Sequence, residues 1–419
     1  MKIAVVGTGI AGMVAAYLLS DHDITVFEAN GYAGGHTHTV DVEMDGANYA
    51  VDTGFIVFND RTYPNFTKLL ARLGVESQAS EMSFSVRCEK TGLEYNGTSI
   101  NSLFAQRRNL FRPRFYRMIR DILRFNRQST ELLRDGERST TLAAYLEANR
   151  YSKEFVEQYI IPMGAAIWSA DPATMQGFPA RTFVQFFANH GMLTVNDRPQ
   201  WRTIKGGSQQ YVKELVRPYR ERIVLNCPVR SVSRRADHVE LTLQPERRHM
   251  ERCRFDLVIL ATHSDQALAL LADPSAKERE ILGAIAYQEN EAVLHTDASC
   301  LPRRRLAWAS WNYRIPRGRQ NRAVVTYHMN TLQRLRAPRE FCVTLNDPDA
   351  IAPAAVLRRF TYHHPVYTPG AVAAQKRRHE IDSVNRTYFC GAYWGYGFHE
   401  DGVNSALAVC RHFGKELAA

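Results

Sequence analysis

"KIAVVGTGIAGMVAAYLLSDHDITVFEA", residues 2–29, carries the fold. Residues Ile3 to Val6 form a short apolar run, rich in β-branched side chains, of the kind that fills a buried parallel strand. Gly7, Gly9 and Gly12 follow as Gly-x-Gly-x-x-Gly. At that spacing Gly7 permits the tight turn, Gly9 lets a pyrophosphate approach the backbone, and Gly12 lets the helix pack closely on the strand. Ile10 and Ala11 stand at the entrance of a helix that runs to Leu19, whose first amides and positive dipole end suit phosphate oxygens. A second strand, "ITVFE", ends in Glu28 beside Ala29, and that carboxylate is placed to accept hydrogen bonds from a ribose diol. Glycines alone would serve any turn. With the strand, the helix and the terminal acid, they define a dinucleotide-binding α/β unit.

A chain of 419 residues exceeds what one core usually supports, so two domains are expected. With 45% hydrophobic and 23% charged residues, the composition is that of a folded globular protein and excludes disordered and fibrous classes. No apolar run is long enough to span a bilayer. The first strand begins at Lys2, which leaves no room for a secretory signal, so a cytoplasmic location is expected. The cysteines (Cys88, Cys227, Cys253, Cys300, Cys342, Cys390 and Cys410) are scattered, odd in number and never spaced as Cys-x-x-Cys. That pattern points to reduced thiols, with neither a disulfide framework nor a metal site. The net charge of +10 comes without a nucleic-acid-binding module. It suits a phosphate-bearing cofactor, an anionic substrate or an anionic membrane surface.

The next segment, "EANGYAGGHTHT" (28–39), resembles the stretch after the second strand in FAD-containing amine oxidases and phytoene desaturases, where a Gly-Gly pair precedes a basic residue and a threonine. Gly34 and Gly35 match, Thr37 takes the place of the threonine, and His36 stands where that family usually carries arginine. A neutral imidazole cannot reproduce the bidentate fork of a guanidinium, so one phosphate contact is expected to differ. The resemblance continues in family order. "VDTGFIVFN" (51–59) is similar to the segment whose backbone runs beneath the isoalloxazine, which implies a structural Asp52 and flavin contacts at Gly54, Phe55 and Ile56. "IKGGSQQYVKELV" (204–216) resembles the family's Gly-Gly-Ser turn opening a helix. In "CPVRSVSRRADHVELTL" (227–243), a predicted hairpin, Val229 matches the position whose backbone meets adenine. "FDLVILATHSDQALALL" (255–271) places Ala261 and Thr262 at a small-residue turn between strand and helix.

Near the C-terminus, "TYFCGAYWGYGFHEDGVNSALAVCRHFG" (387–414) resembles the closing FAD motif: a strand, Gly391, a loop, and a helix starting near Gly402. The resemblance implies cofactor contacts at Gly391, Glu400, Asp401, Gly402 and Val403, with Tyr393, Trp394, Tyr396 and Phe398 as walls that keep water from a hydride-transfer site. Alternating residues of an extended stretch cannot all face one way, so at least one of these aromatics is expected to pack elsewhere. The implied cofactor is FAD. The implied architecture is amine-oxidase-like: a discontinuous Rossmann-type domain from 1–79, 200–287 and 376–419, and an α+β substrate domain from 80–199 and 288–375.

Within the second domain, "EMSFSVRCEKTGLEYNG" reads as a strand pair around Gly92. Residues 106–127, "QRRNLFRPRFYRMIRDILRFNR", hold eight arginines against one acid. On a helix Phe115, Ile119 and Ile122 share one stripe while Arg117, Arg120 and Arg124 flank another. This segment suits either a core-facing helix with a solvated basic side or a peripheral contact with anionic lipid. Amine-oxidising relatives typically carry a lysine in a strand soon after the "ATHS"-like turn, where it holds a water near the flavin N5. The corresponding "LGAIAYQENEAVLHTDAS" (282–299) has none, and His295 is its strongest polar candidate, with His328, His363 and His364 as alternatives. Catalysis is therefore expected to involve His295, Tyr393 and Trp394.

The combination "GGHTHTV", "VDTGFIVFN", "YQENEAVLHTD" and "GAYWGYGFHEDG" is similar to a bacterial flavoprotein subgroup and to the oxidase-like N-terminal region of plant cyclopropane fatty acid synthases. That kinship implies an unsaturated or methylated fatty acyl chain as substrate and a lipid methyltransferase as partner. Four readings stay open: a dehydrogenase of an apolar small-molecule or lipid substrate, a redox-neutral double-bond isomerase, an amine oxidase, and an FAD-bound subunit without catalysis.

Overall fold

The run Ile3–Val6, marked by the sequence as a buried strand, sits at the centre of a five-stranded sheet. Strand Lys2–Val6 is flanked by Asp23–Phe27 and Leu257–Leu260, with Ile223–Val224 and Thr387–Phe389 at the edges. Every pairing is parallel. A parallel pair needs a crossover, and the helix after the glycine turn supplies the first one. The computed structural model describes residues 1–134, 140–194, 198–245, 250–318 and 321–417.

Six helices position the site: α1 (Ile10–Leu18), α2 (Pro64–Leu73), α3 (Pro113–Gln128), α4 (Ile161–Trp168), α5 (Ala180–Asn189) and α6 (His399–Arg411). α1 and α6 pack with the parallel sheet into one core. A second core joins α3, α4 and α5 to a seven-stranded, largely antiparallel sheet. That sheet runs in the order Val356–Pro365, Tyr287–His295, Cys342–Leu345, Val324–His328, Trp311–Ile315, Phe84–Cys88, Leu93–Asn96. The last two strands are the pair expected around Gly92. Trp201 and Phe398 touch both cores. The hairpin expected from 227–243 forms between Val229–Arg234 and Val239–Leu243 and gains a third strand, Glu251–Phe255.

The closing helix differs from the sequence expectation. α6 starts at His399, three residues before Gly402, because the Asp401 carboxylate accepts the Phe398 N–H at 2.9 Å and caps the helix there. Gly402 is a contact residue instead of a starting residue. A Cβ on it would stand 2.6 Å from Ile10 Cγ2, so the missing side chain lets α6 lie against α1. No helix among the described residues is long and apolar enough to cross a membrane.

Candidate active site

One continuous cavity of about 1260 Å³ runs from the glycine turn, between the two sheets, to the flank of α3. It exceeds the ~300–1,000 Å³ of a site for one small ligand, as room for a cofactor and a substrate together requires.

At its dinucleotide end, Gly7, Gly9, Ile10 and Ala11 line the cavity. Gly9 caps α1 without any side-chain hydrogen bond, so the first amides of α1 have no protein partner in that role. A Cβ on Gly9 would meet no atom within 4 Å, which shows that this backbone faces open space. Gly12 lies outside the lining and does the packing job: a Cβ there would come 2.1 Å from the Gly7 carbonyl oxygen. Glu28 and Ala29 line the cavity, as do Val229, Ala261 and Thr262. One Glu28 oxygen accepts Thr8 N–H at 2.9 Å and Thr8 Oγ1–H at 2.5 Å; the other accepts the Asn30 backbone and side-chain amides, both at 2.9 Å. A carboxylate offers about four acceptor positions, and these four bonds from Thr8 and Asn30 take them all up.

Gly34, Gly35 and His36 follow along the lining, with Gly54, Phe55 and Ile56 beside them, Phe55 N–H donating to the His36 carbonyl at 2.9 Å. His36 Nε2–H donates to the His363 carbonyl at 3.1 Å. Its ring is one of a group with His263, His364 and Tyr362, with centroids 5.2–5.8 Å away. Burial pushes His36 below its ordinary value, and burial together with the neighbouring histidines pushes His263 and His364 down to about 3. The group therefore offers neutral N–H donors, not cations, where relatives place a guanidinium. Thr37 is turned away from the cavity: its hydroxyl bonds Tyr211 and, at 2.9 Å, His399 Nε2, tying the loop to the start of α6. Asp52 is structural, as the resemblance implied. It accepts from Thr39 Oγ1 at 2.6 Å and from the Ser208 amide and hydroxyl at 2.8 Å, and burial lifts it to about 6.

At the flavin end the lining comprises Gly391, Tyr393, Tyr396, Gly397, Phe398 and His399. The alternation of glycine and aromatic in this stretch has local causes. Gly395 makes room for the buried Asp401 carboxyl, and Gly397 holds φ +91° against the Tyr367 hydroxyl. Tyr367 and Tyr393 both line the cavity and carry buried hydroxyls without a hydrogen-bond partner among the described residues. Such orphans fit a ligand with polar edges. Trp394 packs elsewhere: its Nε1–H donates to the Phe389 carbonyl at 3.1 Å and the Arg378 guanidinium lies over its ring. Glu400 also leaves the cavity and caps α2, accepting the Asn65 and Phe66 amides at 3.0 and 2.8 Å. Asp401, Gly402 and Val403 lie in α6, outside the lining.

His295 is not in the cavity. It is fully buried in the seven-stranded sheet, with Nε2 at 2.7 Å from Thr344 Oγ1 and Nδ1 accepting the Asp297 amide at 3.1 Å. Both nitrogens serve the fold. A histidine that does line the cavity, beside Met192 and Trp201, is His190 at the end of α5. Its Nδ1–H donates to the Phe186 carbonyl at 2.9 Å, which leaves Nε2 as a lone-pair nitrogen with no partner among the described residues. The ring stacks on Phe186 at 3.8 Å, and burial pushes it down to about 4. Sequence reasoning missed it because "FFANHG" reads only as the end of a helix. Beyond His190 the cavity continues along Leu103, Ile119, Ile122, Tyr159, Met163 and Ile167.

A dinucleotide turn on a parallel sheet, facing an aromatic compartment on an antiparallel sheet, defines the architecture of a two-part flavoprotein oxidoreductase. The chain belongs to the flavin containing amine oxidoreductase family, which matches residues 10–305, and FAD is its cofactor. The start of α1, which has no side-chain cap, the open face of Gly9 and the two orphaned tyrosine hydroxyls fit that group. An L-amino-acid oxidase of Siganus canaliculatus is 24% identical over 329 residues, 71% of this chain and 57% of that protein. A second, from Mus musculus, is 24% identical over 304 residues, 68% of this chain and 46% of that protein, so the chain spans about half the length of these curated relatives. Cyclohexylamine oxidase of Brevibacterium oxydans shares the fold with TM-score 0.69 and 15% identity over 99% of both chains. A CLA-producing fatty acid isomerase of P. acnes shares it with TM-score 0.68 and 14% identity over 98% of both chains.

Proposed function

We propose that the protein is a flavin-dependent oxidoreductase that takes a hydride from a largely apolar substrate, an unsaturated or methylated fatty acyl chain, and introduces a double bond. The observation that carries this reading is the lining beyond His190, which is largely aliphatic and aromatic and, among the described residues, contains no lysine. A desolvated amino acid brings two charges that need buried partners. The charged side chains on this side of the cavity, Glu81 and Arg198, are exposed and suit a polar head group instead. The resemblance to the oxidase-like region of plant cyclopropane fatty acid synthases supports the same substrate class and a lipid methyltransferase working beside the protein.

Bound FAD supplies the hydride acceptor and passes its electrons to oxygen or another acceptor. The chain's own residues supply the rest. Phe186, Tyr396 and Phe398 exclude water and flatten the site around an extended chain. Loss of hydride from one carbon makes the proton on its neighbour strongly acidic, so a weak base is enough to take it as the double bond forms. His190 Nε2 is neutral above about pH 4 and stands in the compartment for that purpose. A second reading is a redox-neutral double-bond shift, supported by the fold shared with a fatty acid isomerase.

Anaerobic titration of the purified holoprotein tests both. Stoichiometric bleaching of the flavin by an acyl lipid, with a new double bond in the product, is the expected result. Continued turnover to an isomer without any acceptor would replace it with the second reading. Bleaching by amines or amino acids, and by no lipid, would overturn both in favour of an amine oxidase.

A further inference from the structure

We propose that the outward face of α3, with the turn before it, docks on an anionic lipid bilayer, and that the substrate enters the cavity directly from that bilayer. The proposal deepens the acyl-chain reading and rests on it.

The two sides of α3 have different surroundings. Phe115, Met118, Asp121 and Phe125 face the core, and the flank formed by Ile119, Ile122, Leu123 and Asn126 lines the cavity. Leu123 is both a lining residue and 55% exposed, and the lining residues Gly97 and Thr98 are exposed as well. These residues mark an opening of the cavity to the surface.

Arg117, Arg120 and Arg127 run along the exposed stripe beside this opening, and their side chains have no acidic partner among the described residues. Arg114 and Arg124, by contrast, lie 3.8 and 3.4 Å from Glu154 and Asp121. Large apolar side chains stand out among the cations: Phe111 is 87% exposed and Ile100 80%, with Leu110 and Tyr116 also exposed. A soluble surface gains nothing from a bare phenylalanine beside unpaired arginines. An anionic bilayer takes both, since lipid phosphates meet the guanidinium groups and the interfacial region takes the aromatic and aliphatic tips. A surface that adjoins the cavity opening also spares an acyl chain the cost of crossing water.

Co-sedimentation of the holoprotein with vesicles tests this. Vesicles of equal parts phosphatidylcholine and phosphatidylglycerol should retain it at low salt and release it at high salt, while phosphatidylcholine alone should not hold it. The variant Arg117→Glu/Arg120→Glu/Arg127→Glu should lose about 100-fold or more in vesicle affinity, since three basic residues each contribute roughly 1 kcal/mol near the surface. Phe111→Ser should weaken binding further. Flavin content and Tm of these surface variants should match the parent. With the same acyl lipid, the triple variant should reduce its flavin normally when the lipid is in detergent micelles and poorly when it is in vesicles. Failure of the parent to bind anionic vesicles, equal retention on phosphatidylcholine alone, or unaltered binding by the triple variant would overturn the docking proposal. If vesicles bind but no acyl lipid bleaches the flavin in either form, the acyl-chain reading fails and the docking face stands.

Discussion

Single side chains explain most of the chemistry. Glu28 is held by four hydrogen bonds from Thr8 and Asn30, so it organises the turn beside the cavity it lines. Replacing it with alanine should lower FAD affinity roughly 10–100-fold, in line with about 1.5–3 kcal/mol for hydrogen bonds to a charged group, and flavin titration of the apoprotein reads it. His190 makes a pH prediction. Its folded value of about 4 lies below the ordinary 6.5 of an unfolded histidine, so it contributes stability above about pH 6.5 that is lost as pH falls through about 4. A His190→Phe variant should therefore lose less stability than the parent on acidification across that window, by up to about 3 kcal/mol. Denaturant midpoints measured from neutral pH down to about pH 4 check it. In the proposed reaction His190→Gln should slow anaerobic flavin reduction roughly 100-fold or more while leaving flavin content intact.

Pairs of elements decide where the cofactor segments sit. Glu400 joins α6 to α2 by accepting two amides at the start of α2. Glu400→Ala should cost about 0.5–2 kcal/mol of stability, as loss of a cap does, with bound flavin unchanged; a flavin-free product would instead make Glu400 a cofactor ligand. The closeness of α1 and α6 depends on Gly402. Gly402→Ala would put a methyl group 2.6 Å from Ile10 Cγ2, on a β-branched side chain with little freedom to move. Destabilisation of about 1–3 kcal/mol is expected, together with weaker FAD binding because the amide end of α1 is displaced. Thermal melts and the flavin-to-protein absorbance ratio measure the two effects separately.

The two largest cores of the molecule are both touched by Trp201 and Phe398, which also line the cavity. A ligand that fills such a cavity belongs to the folded state only. Removing FAD should lower the melting temperature of the entire protein, and restoring FAD to about 100-fold above its Kd should regain about 2.7 kcal/mol. Calorimetry of stripped and reconstituted protein gives the comparison.

The dinucleotide half was legible from residues 2–29 and their echoes along the chain, because phosphate recognition uses backbone at fixed short spacings and only glycine permits it. Gly7, Gly9 and Glu28 line the cavity, and Val229, Ala261 and Gly391, far away in sequence, join them there. Periodicity separated an apolar from a basic side of α3, but of its expected apolar stripe only Phe115 is buried in the core, while Ile119 and Ile122 line the cavity. What no local pattern carried is which side chains from distant segments share one space. His295 lies in the sheet interior while His190, at the end of a helix, faces the cavity. Glu400 and Asp401 sit in a cofactor-like motif yet spend their oxygens on helix caps. A caps-or-ligand choice depends on which amides the fold brings within 3 Å, and the neutrality of the histidine group depends on how deeply packing buries it. Local spacing determined that this chain binds a dinucleotide; tertiary packing alone decided which titratable groups face the cavity and in what charge state.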